Sequence, residues 1–525
     1  MVISHKKHMP SSILKGTFII IGVGIIAKIL SFISEAILAA ILGTTYLSDA
    51  YYMVAGIQIL VYPMLSIGIW KVFLPMYKDL ITKGANADAG ILTNKVITFI
   101  IMCSCIIVIL LLLFSQQLVN LIAPGFDGRT SELCAKLVRW SAIMYVFIAL
   151  SSVYSAMLQS RGMFFASQIR EVASHIPTII AALFFYDYFG VIGLAVALAL
   201  GGLFRLLVQL PYVKWGYSYK FDLNFRDRNF GVFFRRLPSA LISEGIIQTN
   251  AFVGKVFAST LPIGSVSCLN YGQRLINFFS GLLSSAVATA LYPQMIELIS
   301  LKQIDRLSRL MVNIYITFAL IMIPATAICY IYSNEIVRIV FQRGMFDANS
   351  TETTASVFAL YSLGLFFTAC FTITINLFYS WGDTKTPMYI SLMILILNII
   401  LNFAMIGIWG IMGLALATSV SSVFSFIISF ICSRKLFIIE MKNFYISVVK
   451  IVIATFISLS IPIYIKYSLK PSDIWVFVPI VIVVPIYIYL IKKLRVDEVD
   501  VLISVVLSRL KKKGSSDISS DATVV

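Results

Sequence analysis

The stretch GVIGLAVALALGGLF, residues 190–204, decides the fold, because it recurs about 220 residues later as GIMGLALATSVSSVF, residues 410–424. The LQSRG that ends at Gly162 matches the FYSWG that ends at Gly382 at the same offset. In an apolar chain, a repeat of this size is typical of a membrane protein built from two homologous helix bundles. The repeat therefore predicts two pseudo-symmetric halves and favours transport through a central cavity.

The composition indicates a membrane protein. Hydrophobic residues make up 59% of the 525 residues, charged residues only 12%, and mean hydropathy is +0.94. A water-soluble chain of this length cannot sustain such a composition. Apolar runs long enough to cross a bilayer as helices recur about fourteen times. We therefore expect an all-α polytopic membrane protein with two six-helix lobes and two further C-terminal helices.

The expected organisation has five parts. They are the N-lobe with helices one to six (1–213), a basic cytoplasmic linker (214–236), the C-lobe with helices seven to twelve (237–434), helices thirteen and fourteen (435–492), and a cytoplasmic amphipathic and disordered tail (493–525). Each lobe has an even number of spans, so the repeat is parallel, with its axis along the membrane normal. The extra helix pair provides either packing surface or a surface for a hydrophobic part of the cargo.

The positive charge predicts the orientation of the chain. The net charge is +17, and the linker alone carries six cations: Lys214, Lys220, Arg226, Arg228, Arg235 and Arg236. Lys and Arg concentrate in the cytoplasmic loops of membrane proteins, so we expect the linker and both termini on the cytoplasmic side. Because the charge is spread over short loops, it favours contact with anionic membrane lipids over nucleic-acid binding.

The sequence has no enzyme signature. It contains no P-loop, no HExxH and no nucleophile elbow, its Cys residues show no metal-ligand spacing, and its His residues are peripheral or isolated (His5, His8 and His175). We therefore expect a protein that is not an enzyme and has no catalytic residue, cofactor or bound metal. Its motion would be driven by an ion gradient (H⁺ or Na⁺), the membrane potential or the substrate gradient.

Ionisable residues inside the predicted helices of the first half are candidate functional residues, because charge is costly in a membrane. Lys28 and Glu35 are seven residues apart and share one face of helix one. A structural pair, or a lysine that extends to the membrane surface, is the alternative. Asp49 begins helix two, where interaction with the helix dipole explains it equally well.

A second group of polar residues lies in helices seven and eight: Glu244, Gln248, Asn250, Lys255, Asn270 and Arg274. A helix that faced only lipid would not tolerate such a stripe. The planar guanidinium of Arg274 suits a phosphate or diphosphate. The alternative is that Arg274 is buried in a structural pair with Glu244 or Asp49.

Several longer strings resemble one known family. They are AKILSFISEAILAAILGTTYLSDAYY (27–52), ASTLPIGSVSCLNYGQRL (258–275), VFQRGMFD (340–347) and FYSWGDTKTP (378–387). In order and spacing they are similar to the MurJ/MviN-type lipid II flippases of the multidrug/oligosaccharidyl-lipid/polysaccharide exporter superfamily. The resemblance covers most of the chain.

The resemblance implies a transport function in cell-wall (peptidoglycan) biosynthesis. Such a flippase moves an undecaprenyl-diphosphate-linked sugar from the inner to the outer leaflet of the bacterial plasma membrane by alternating access. Its partners would be the polyprenyl-diphosphate-linked glycan, membrane lipids and a coupling ion (H⁺ or Na⁺) or the membrane potential. Because a two-lobed chain already encloses a site, we expect a monomer. The family holds the diphosphate and sugar in a cationic cavity, and helices thirteen and fourteen form a groove for the lipid tail.

Matching the family pattern residue by residue assigns candidate roles. Family cations of helices one and eight fall on Lys28 and Arg274, and family acidic positions on Glu35 and Asp49. The expected diphosphate and sugar site consists of Lys28, Arg274, Lys255 and Asn270. Glu35, Asp49 and Glu244 are expected in coupling or gating, and the further cavity candidates are Ser34, Tyr62, Gln248 and Asn250.

The chain also departs from the family pattern. Ser34 replaces a helix-one arginine, and Tyr62, Pro63 and Ile67 replace an arginine pair and its following glutamate. Lys255 is a candidate replacement for the lost charge. Three alternatives to lipid II transport therefore stay open: a flippase for another polysaccharide repeat unit, an ion-coupled exporter of small cations or drugs, and a non-transporting membrane scaffold.

Overall fold

The computed structural model describes residues 11–214, 217–383, 385–434, 441–469 and 478–494, and none of these residues forms a strand. The helices up to the linker are α1 (Ser11–Leu42), α2 (Tyr46–Pro63), α3 (Ile69–Thr82), α4 (Asn86–Ile122), α5 (Gly128–Ser141), α6 (Met144–Ser160), α7 (Phe164–Ile180), α8 (Tyr186–Leu207) and α9 (Leu210–Lys214). Short π-helical turns, Met64–Gly68 and Ala181–Phe185, join α2 to α3 and α7 to α8.

Nine further helices lie between residues 228 and 493 of the described chain. They are α10 (Arg228–Ala258), α11 (Ser265–Ser300), α12 (Ile304–Ile331), α13 (Ser333–Phe341), α14 (Ala348–Ser362), α15 (Leu365–Ser380), α16 (Lys385–Ser433), α17 (Met441–Leu469) and α18 (Val478–Lys493). The all-α fold is thus confirmed.

Many of these helices are long and apolar enough to cross a membrane. By length and composition six described segments qualify, or eight if two bent helix pairs each count as one span. Two of the six, Phe164–Lys214 and Lys385–Ser433, are 51 and 49 residues long, well beyond the ~20 residues that one crossing needs. The polytopic membrane fold is confirmed, whereas the number of fourteen helices stays a prediction.

The sequence repeat is also a repeat of backbone geometry. Gly190 breaks the helix with φ 55° and ψ −148°, and Gly410 breaks its helix with φ 54° and ψ −129°. Gly162 and Gly382, with φ 79° and 82°, precede these segments. Side chains rarely adopt this part of φ/ψ space, so glycine is required at both breaks. We call residues 164–207 the first copy and residues 385–433 the second copy.

Bent helix pairs repeat in the same way. The axes of α5 and α6 differ by 43°, and those of α14 and α15 by 46°. Asp127 begins the first pair by accepting a hydrogen bond from the backbone amide of Thr130 (3.3 Å), and Asp347 begins the second by accepting one from Ser350 (2.8 Å). Capping of both pairs by an aspartate at the same offset shows that the duplication preserved helix starts as well as breaks.

The described residues fall into two compact units. The first comprises those of Met1–Arg274, Phe341–Thr351 and Asn402–Leu414, and the second those of Leu275–Val340, Glu352–Leu401 and Ala415–Val525. The predicted lobe boundaries at 213 and 434 stay a prediction. All residues of the candidate site described below belong to the first unit.

Close helix packing in the first unit depends on small residues of the first copy. α7 packs against α1 and α8, and α8 packs against α6. A Cβ atom at Gly201 would lie 2.6 Å from the carbonyl oxygen of Ser174, and one at Gly202 would lie 3.2 Å from that of Met144. Glycines allow such close approach between membrane helices. They hold α8 against α6 and α7 just before Arg205.

The linker is anchored to α4. Tyr217 donates a hydrogen bond to Asn94 (2.5 Å), and the Phe99 ring lies 5.8 Å from the Phe230 ring. The next helix begins at Arg228, inside the predicted linker, because the Asp227 side chain accepts a hydrogen bond from the amide of Phe230 (3.0 Å) and caps it. These contacts hold the basic segment against the first unit.

The second unit includes the two helices outside the repeat. α17 packs against α12 and α18, and Tyr487 of α18 donates a hydrogen bond to the carbonyl oxygen of Leu320 in α12 (2.9 Å). Lys466 of α17 forms an ion pair with Glu335 of α13 (2.9 Å) and lies 4.9 Å from the Tyr332 ring. These helices therefore have a packing role, and their contact with a lipid tail stays a prediction.

Candidate functional site

A charged cavity of about 320 Å³ lies inside the first unit. Parts of α1, α2, α6, α7 and α8 form its wall together with Arg274 of α11. Two acidic and two basic side chains line it: Glu35, Glu171, Arg205 and Arg274. Ser34 and His175 also belong to the wall. Charged groups inside a membrane protein mark sites of binding or transport, so this cavity is the candidate site.

One charged cluster of the cavity is centred on Glu35, which is buried. Its carboxylate accepts a hydrogen bond from the Asn270 amide (2.5 Å) and lies 3.6 Å from the Nε atom of Arg274. Lys255 donates to the Asn270 side-chain oxygen (2.9 Å) and to the Tyr52 carbonyl oxygen (3.1 Å). The Glu35 carboxylate is thus associated with two cations: it pairs directly with Arg274, and Asn270 links it to Lys255.

The other charged cluster is centred on Glu171. Its carboxylate forms an ion pair with Arg205 of α8 and lies 3.4 Å from the Nε atom of Arg170. Arg170 also donates a hydrogen bond to the carbonyl oxygen of Ser151 (3.2 Å), which fixes it against α6. Here again one carboxylate lies between two cations.

The two clusters together carry an excess of positive charge around the cavity, although the charged side chains in the wall itself, two Glu and two Arg, are balanced. Each cluster has one more cation than anion, since Lys255 and Arg274 accompany Glu35, and Arg170 and Arg205 accompany Glu171. In surroundings of low dielectric constant such an excess attracts an anion strongly. Arg205 and Arg274 line the cavity itself, and guanidinium groups bind phosphate oxygens in pairs.

Lys28 and Ser34 have different positions on α1. The Lys28 side chain is exposed and does not line the cavity, whereas Ser34 is buried and forms part of its wall. The neutral side chain of Ser34 therefore faces the site at the position where the family resemblance implies an arginine. The structure brings together Ser34, Glu35 and Arg274 of the predicted site, with Asn270 and Lys255 directly behind them.

Asp49 caps the N-terminus of α11. Its carboxylate accepts hydrogen bonds from the backbone amides of Gly264 (2.6 Å) and Ser267 (2.8 Å), at the N-terminus of α11. A carboxylate at this position satisfies amides that have no partner within the helix and interacts favourably with the helix dipole. Its part in coupling or gating stays a prediction.

Four residues of the predicted site remain: Glu244, Gln248, Tyr62 and Asn250. Glu244 is buried and forms an ion pair with Lys71 of α3, a residue that we did not predict as part of the site. Arg274 therefore pairs with Glu35 rather than with Glu244 or Asp49. Gln248 is partly buried in α10. The side chains of Tyr62 and Asn250 lie outside those that the structure describes.

Sequence reasoning missed the Glu171 cluster. Arg170, Glu171 and Arg205 all lie within predicted spans, so the cost of burying charge in a membrane would have identified them as it identified Arg274. The interpretation of His175 as peripheral or isolated was wrong, because it lies in the cavity wall. Its position one turn after Glu171 on α7 was the available signal.

Metal binding finds no support among the described residues. They contain no group of three or more His, Cys, Asp or Glu side chains that could hold a metal ion. All seven cysteines are free thiols in this part of the chain. The polar groups in the cavity wall are guanidinium, carboxylate, hydroxyl, amide and imidazole groups.

Comparison with known proteins matches this chain to one family. The sequence profile of the family described as "Lipid II flippase MurJ" matches residues 38–484. A probable lipid II flippase MurJ of Buchnera aphidicola subsp. Schizaphis graminum (strain Sg) is 27% identical over 472 residues, which cover 87% of this chain and 91% of that protein. A probable lipid II flippase MurJ of Thermotoga maritima is 25% identical over 476 residues, 90% of this chain and 95% of that protein.

Solved structures match the fold as well. A lipid II flippase MurJ in an inward closed conformation has a TM-score of 0.78 and 20% identity over 90% of this chain and 98% of that one. An inward-facing multidrug resistance MATE family transporter of the MOP superfamily has a TM-score of 0.66 and 14% identity over 78% of this chain and 94% of that one. At these identities the likeness shows the fold alone.

Proposed function

Because this chain belongs to the MurJ family of lipid II flippases, we propose that it moves a lipid-linked cell-wall precursor from the inner to the outer leaflet. The family and the apolar helices make it a multi-pass protein of the bacterial inner membrane. The proposed substrate is a polyprenyl diphosphate that carries a glycan, either lipid II or a similar lipid-linked oligosaccharide. Both termini are proposed to lie in the cytoplasm.

The single observation that carries this proposal is the guanidinium group of Arg274 in the cavity wall. Arg274 lines the cavity with 37% of its side chain exposed and is positioned by Glu35. A diphosphate presents several acceptor oxygens to such a group, and charge-assisted hydrogen bonds of this kind are strong. The hydroxyl groups of Ser31 and Ser34, in the same wall, suit the polar sugar.

Transport of this kind requires conformational change but no covalent chemistry. In the proposed cycle, the cavity binds the head group on the cytoplasmic side, and helix movement then opens it to the other side. The glycine breaks at Gly190 and Gly410 interrupt two long helices, and a helix bends more easily at such a break. The energy would come from a gradient of H⁺ or Na⁺ or from the membrane potential, and the protein would act as a monomeric transporter and not as an enzyme.

The polyprenyl tail is proposed to follow α17 and α18. Phe456 and Tyr464 of α17 are 73% and 71% exposed, and Val449 is 58% exposed on the same helix. Exposed apolar side chains on a membrane helix face lipid chains, so a prenyl chain is chemically compatible with this surface. This assigns the two appended helices a role beyond packing.

Export of a small cation is the other transport function that the fold allows, given the likeness to the MATE transporter. The cavity argues against it, because each of its two carboxylates is already accompanied by two cations. A site for cations needs negative charge in excess. The same positive excess supports a lipid-linked repeat unit of another polysaccharide equally well, since the diphosphate is shared.

Reconstitution tests the proposed function. In vesicles that contain fluorescent lipid II, we expect the wild-type protein to expose the lipid on the opposite leaflet and the Arg274→Ala variant to lose this activity. Arg306→Ala is the matched control, because Arg306 is exposed, donates a hydrogen bond to the nearby Gln303 (3.0 Å) and does not line the cavity. Wild-type flipping by Arg274→Ala would contradict the assignment.

Binding measurements distinguish lipid II from the other candidate substrates. The purified protein is titrated with lipid II and with polyprenyl diphosphates that carry other glycans. Tighter binding of lipid II than of the other lipids supports a role in peptidoglycan synthesis. Equal or weaker binding of lipid II would favour another polysaccharide repeat unit, and binding of none would favour a scaffold.

A further inference from the structure

We propose that Arg205 is a second diphosphate-binding residue of this cavity, which acts together with Arg274 and is held by Glu171 while the site is empty. This inference rests on the proposed function and adds to it a residue from α8. It assigns a positioning role to Glu171 and a substrate contact to Arg205.

Few cations line the cavity. The α1 side chains in the wall are Ser31, Ser34, Glu35 and Leu38, so α1 supplies no cation to the wall. Lys255 does not supply one, because its ammonium group is buried and donates to Tyr52 and Asn270. Lys28 does not line the cavity either. Among the described residues, the cations in the wall are Arg205 and Arg274.

Close helix packing holds Arg205 at the edge of the cavity. Gly201 and Gly202 of the same helix line the cavity and hold α8 in close contact with α7 and α6. Arg205 follows Gly201 by four residues, about one helical turn, and is itself 7% exposed. Its guanidinium group is therefore fixed by a tightly packed backbone at the edge of the cavity.

The Glu171 side chain is 34% exposed, whereas that of Arg205 is 9% exposed. The carboxylate is thus the more accessible partner and shields the guanidinium group from the cavity. Arg170 lies 3.4 Å from the same carboxylate and gives it a second partner. A diphosphate that displaces Glu171 from Arg205 leaves the carboxylate paired with Arg170, so no charge is left isolated.

Substitution of the two residues gives opposite predictions. Arg205→Gln should weaken the binding of undecaprenyl diphosphate by about tenfold or more, the size of one charge-assisted hydrogen bond. Glu171→Gln should strengthen binding by about threefold, because it removes a competing anion and keeps the volume of the side chain. If Glu171 were a structural residue alone, its substitution would leave affinity unchanged or weaken it.

The test measures the affinity of the purified full-length protein for undecaprenyl diphosphate and lipid II, with thermal unfolding as a check of folding. Arg139→Gln is the matched control, because Arg139 donates a hydrogen bond to Ser115 (2.6 Å) and does not line the cavity. If Arg205→Gln does not fold, Arg205→Lys and Glu171→Gln decide the question. Arg205→Lys keeps the positive charge and should therefore weaken binding less than Arg205→Gln does.

The outcomes separate the two proposals. Weaker binding by the Arg205 variants and tighter binding by Glu171→Gln support the inference. If the wild-type protein binds the lipid and Arg274→Ala weakens this binding, but the Arg205 and Glu171 variants bind like wild type, the inference is overturned and the proposed function stands. If the wild-type protein neither binds nor flips any polyprenyl diphosphate, both are overturned.

Discussion

The first and second copies of the repeat have the same backbone break but different interiors. Gly190 and Gly410 adopt nearly the same φ, 55° and 54°. The ionisable residues of the first copy have no charged counterpart in the second. At an offset of about 220, Arg170, Glu171, His175 and Arg205 correspond to Ile390, Ser391, Leu395 and Ser425.

This difference distinguishes the backbone features that both copies share from the charged side chains that only the first copy has. Ser425 hydrogen-bonds to the backbone of Ser421 in its own helix (2.7 Å) and is buried. Arg205, at the matching position, lines a cavity and pairs with Glu171. Backbone features that recur in both copies support structure, and side chains present in one copy alone are the candidates for function.

The largest effect is expected from placing charge in the second copy. Ser425→Arg would bury a guanidinium group beside Phe426 of the apolar core, with Ser391 at the position that corresponds to Glu171. An uncompensated buried charge should lower the free energy of unfolding by ~3–5 kcal/mol. Size-exclusion chromatography and thermal unfolding in detergent measure this loss, with Ser425→Ala as the mild control. A well-folded Ser425→Arg protein would show that the second copy also accepts charge.

A smaller loss is expected at two polar residues outside the copies, Asp49 near the start of α2 and Asn270 near the start of α11. Asp49 caps α11, whereas Asn270, at nearly the same offset, bridges Lys255 and Glu35. Asp49→Ala should lower the free energy of unfolding by about 2 kcal/mol, because two amide hydrogen bonds lose their acceptor. Asn270→Ala should change ligand binding more than stability. The reverse pattern in melting and binding experiments would contradict these roles.

The two glycine breaks should be equally sensitive to substitution by alanine. Alanine at Gly190 or Gly410 meets no atom within 4 Å, so the cost comes from backbone conformation alone. Each substitution should lower the free energy of unfolding by ~1–3 kcal/mol. Gly231→Ala in α10 is the control, since it also meets no atom within 4 Å and its φ is not positive. Unequal losses at Gly190 and Gly410 would mean that the two breaks are not equivalent.

The smallest effect is expected from the paired caps outside the membrane spans. Hydrogen bonds from Thr130 lower the pKa of Asp127, and those from Ser350 lower the pKa of Asp347. A lowered pKa stabilises the fold above the unfolded carboxyl pKa of about 3.9, and this stabilisation is lost as pH falls through the folded value. Each Asp→Ala variant should therefore melt slightly below wild type at pH 7. The difference should shrink below about pH 4, and a constant difference would contradict this cause.

The sequence predicts the parts of this molecule that depend on local pattern. Apolar runs indicate the membrane helices, and the repeat around Gly190 and Gly410 corresponds to the two helix breaks that the structure contains. Burial cost also identifies Glu35 and Arg274, which the structure places in one ion pair. These features follow from composition and spacing, which a single chain displays directly.

Partner choice was not predictable from the sequence, because it depends on which helices pack together. Lys71 is distant in sequence from Glu244, and Arg205 from Glu171, yet both form ion pairs in the folded chain. Asp49 illustrates the same point, since its partners are backbone amides more than 200 residues away. Spacing within one helix limits the face of a side chain but not the partner that it meets.

The most direct test of the account compares matching positions of the two copies in one flipping experiment. Vesicles containing fluorescent lipid II and equal amounts of wild-type protein, Arg205→Gln or Ser425→Ala are assayed for the fraction of lipid exposed on the opposite leaflet. We predict flipping by the wild type and by Ser425→Ala, and a loss of about tenfold or more in rate by Arg205→Gln. Equal rates for Arg205→Gln and the wild type would contradict the central claim that the charged first copy binds the transported head group.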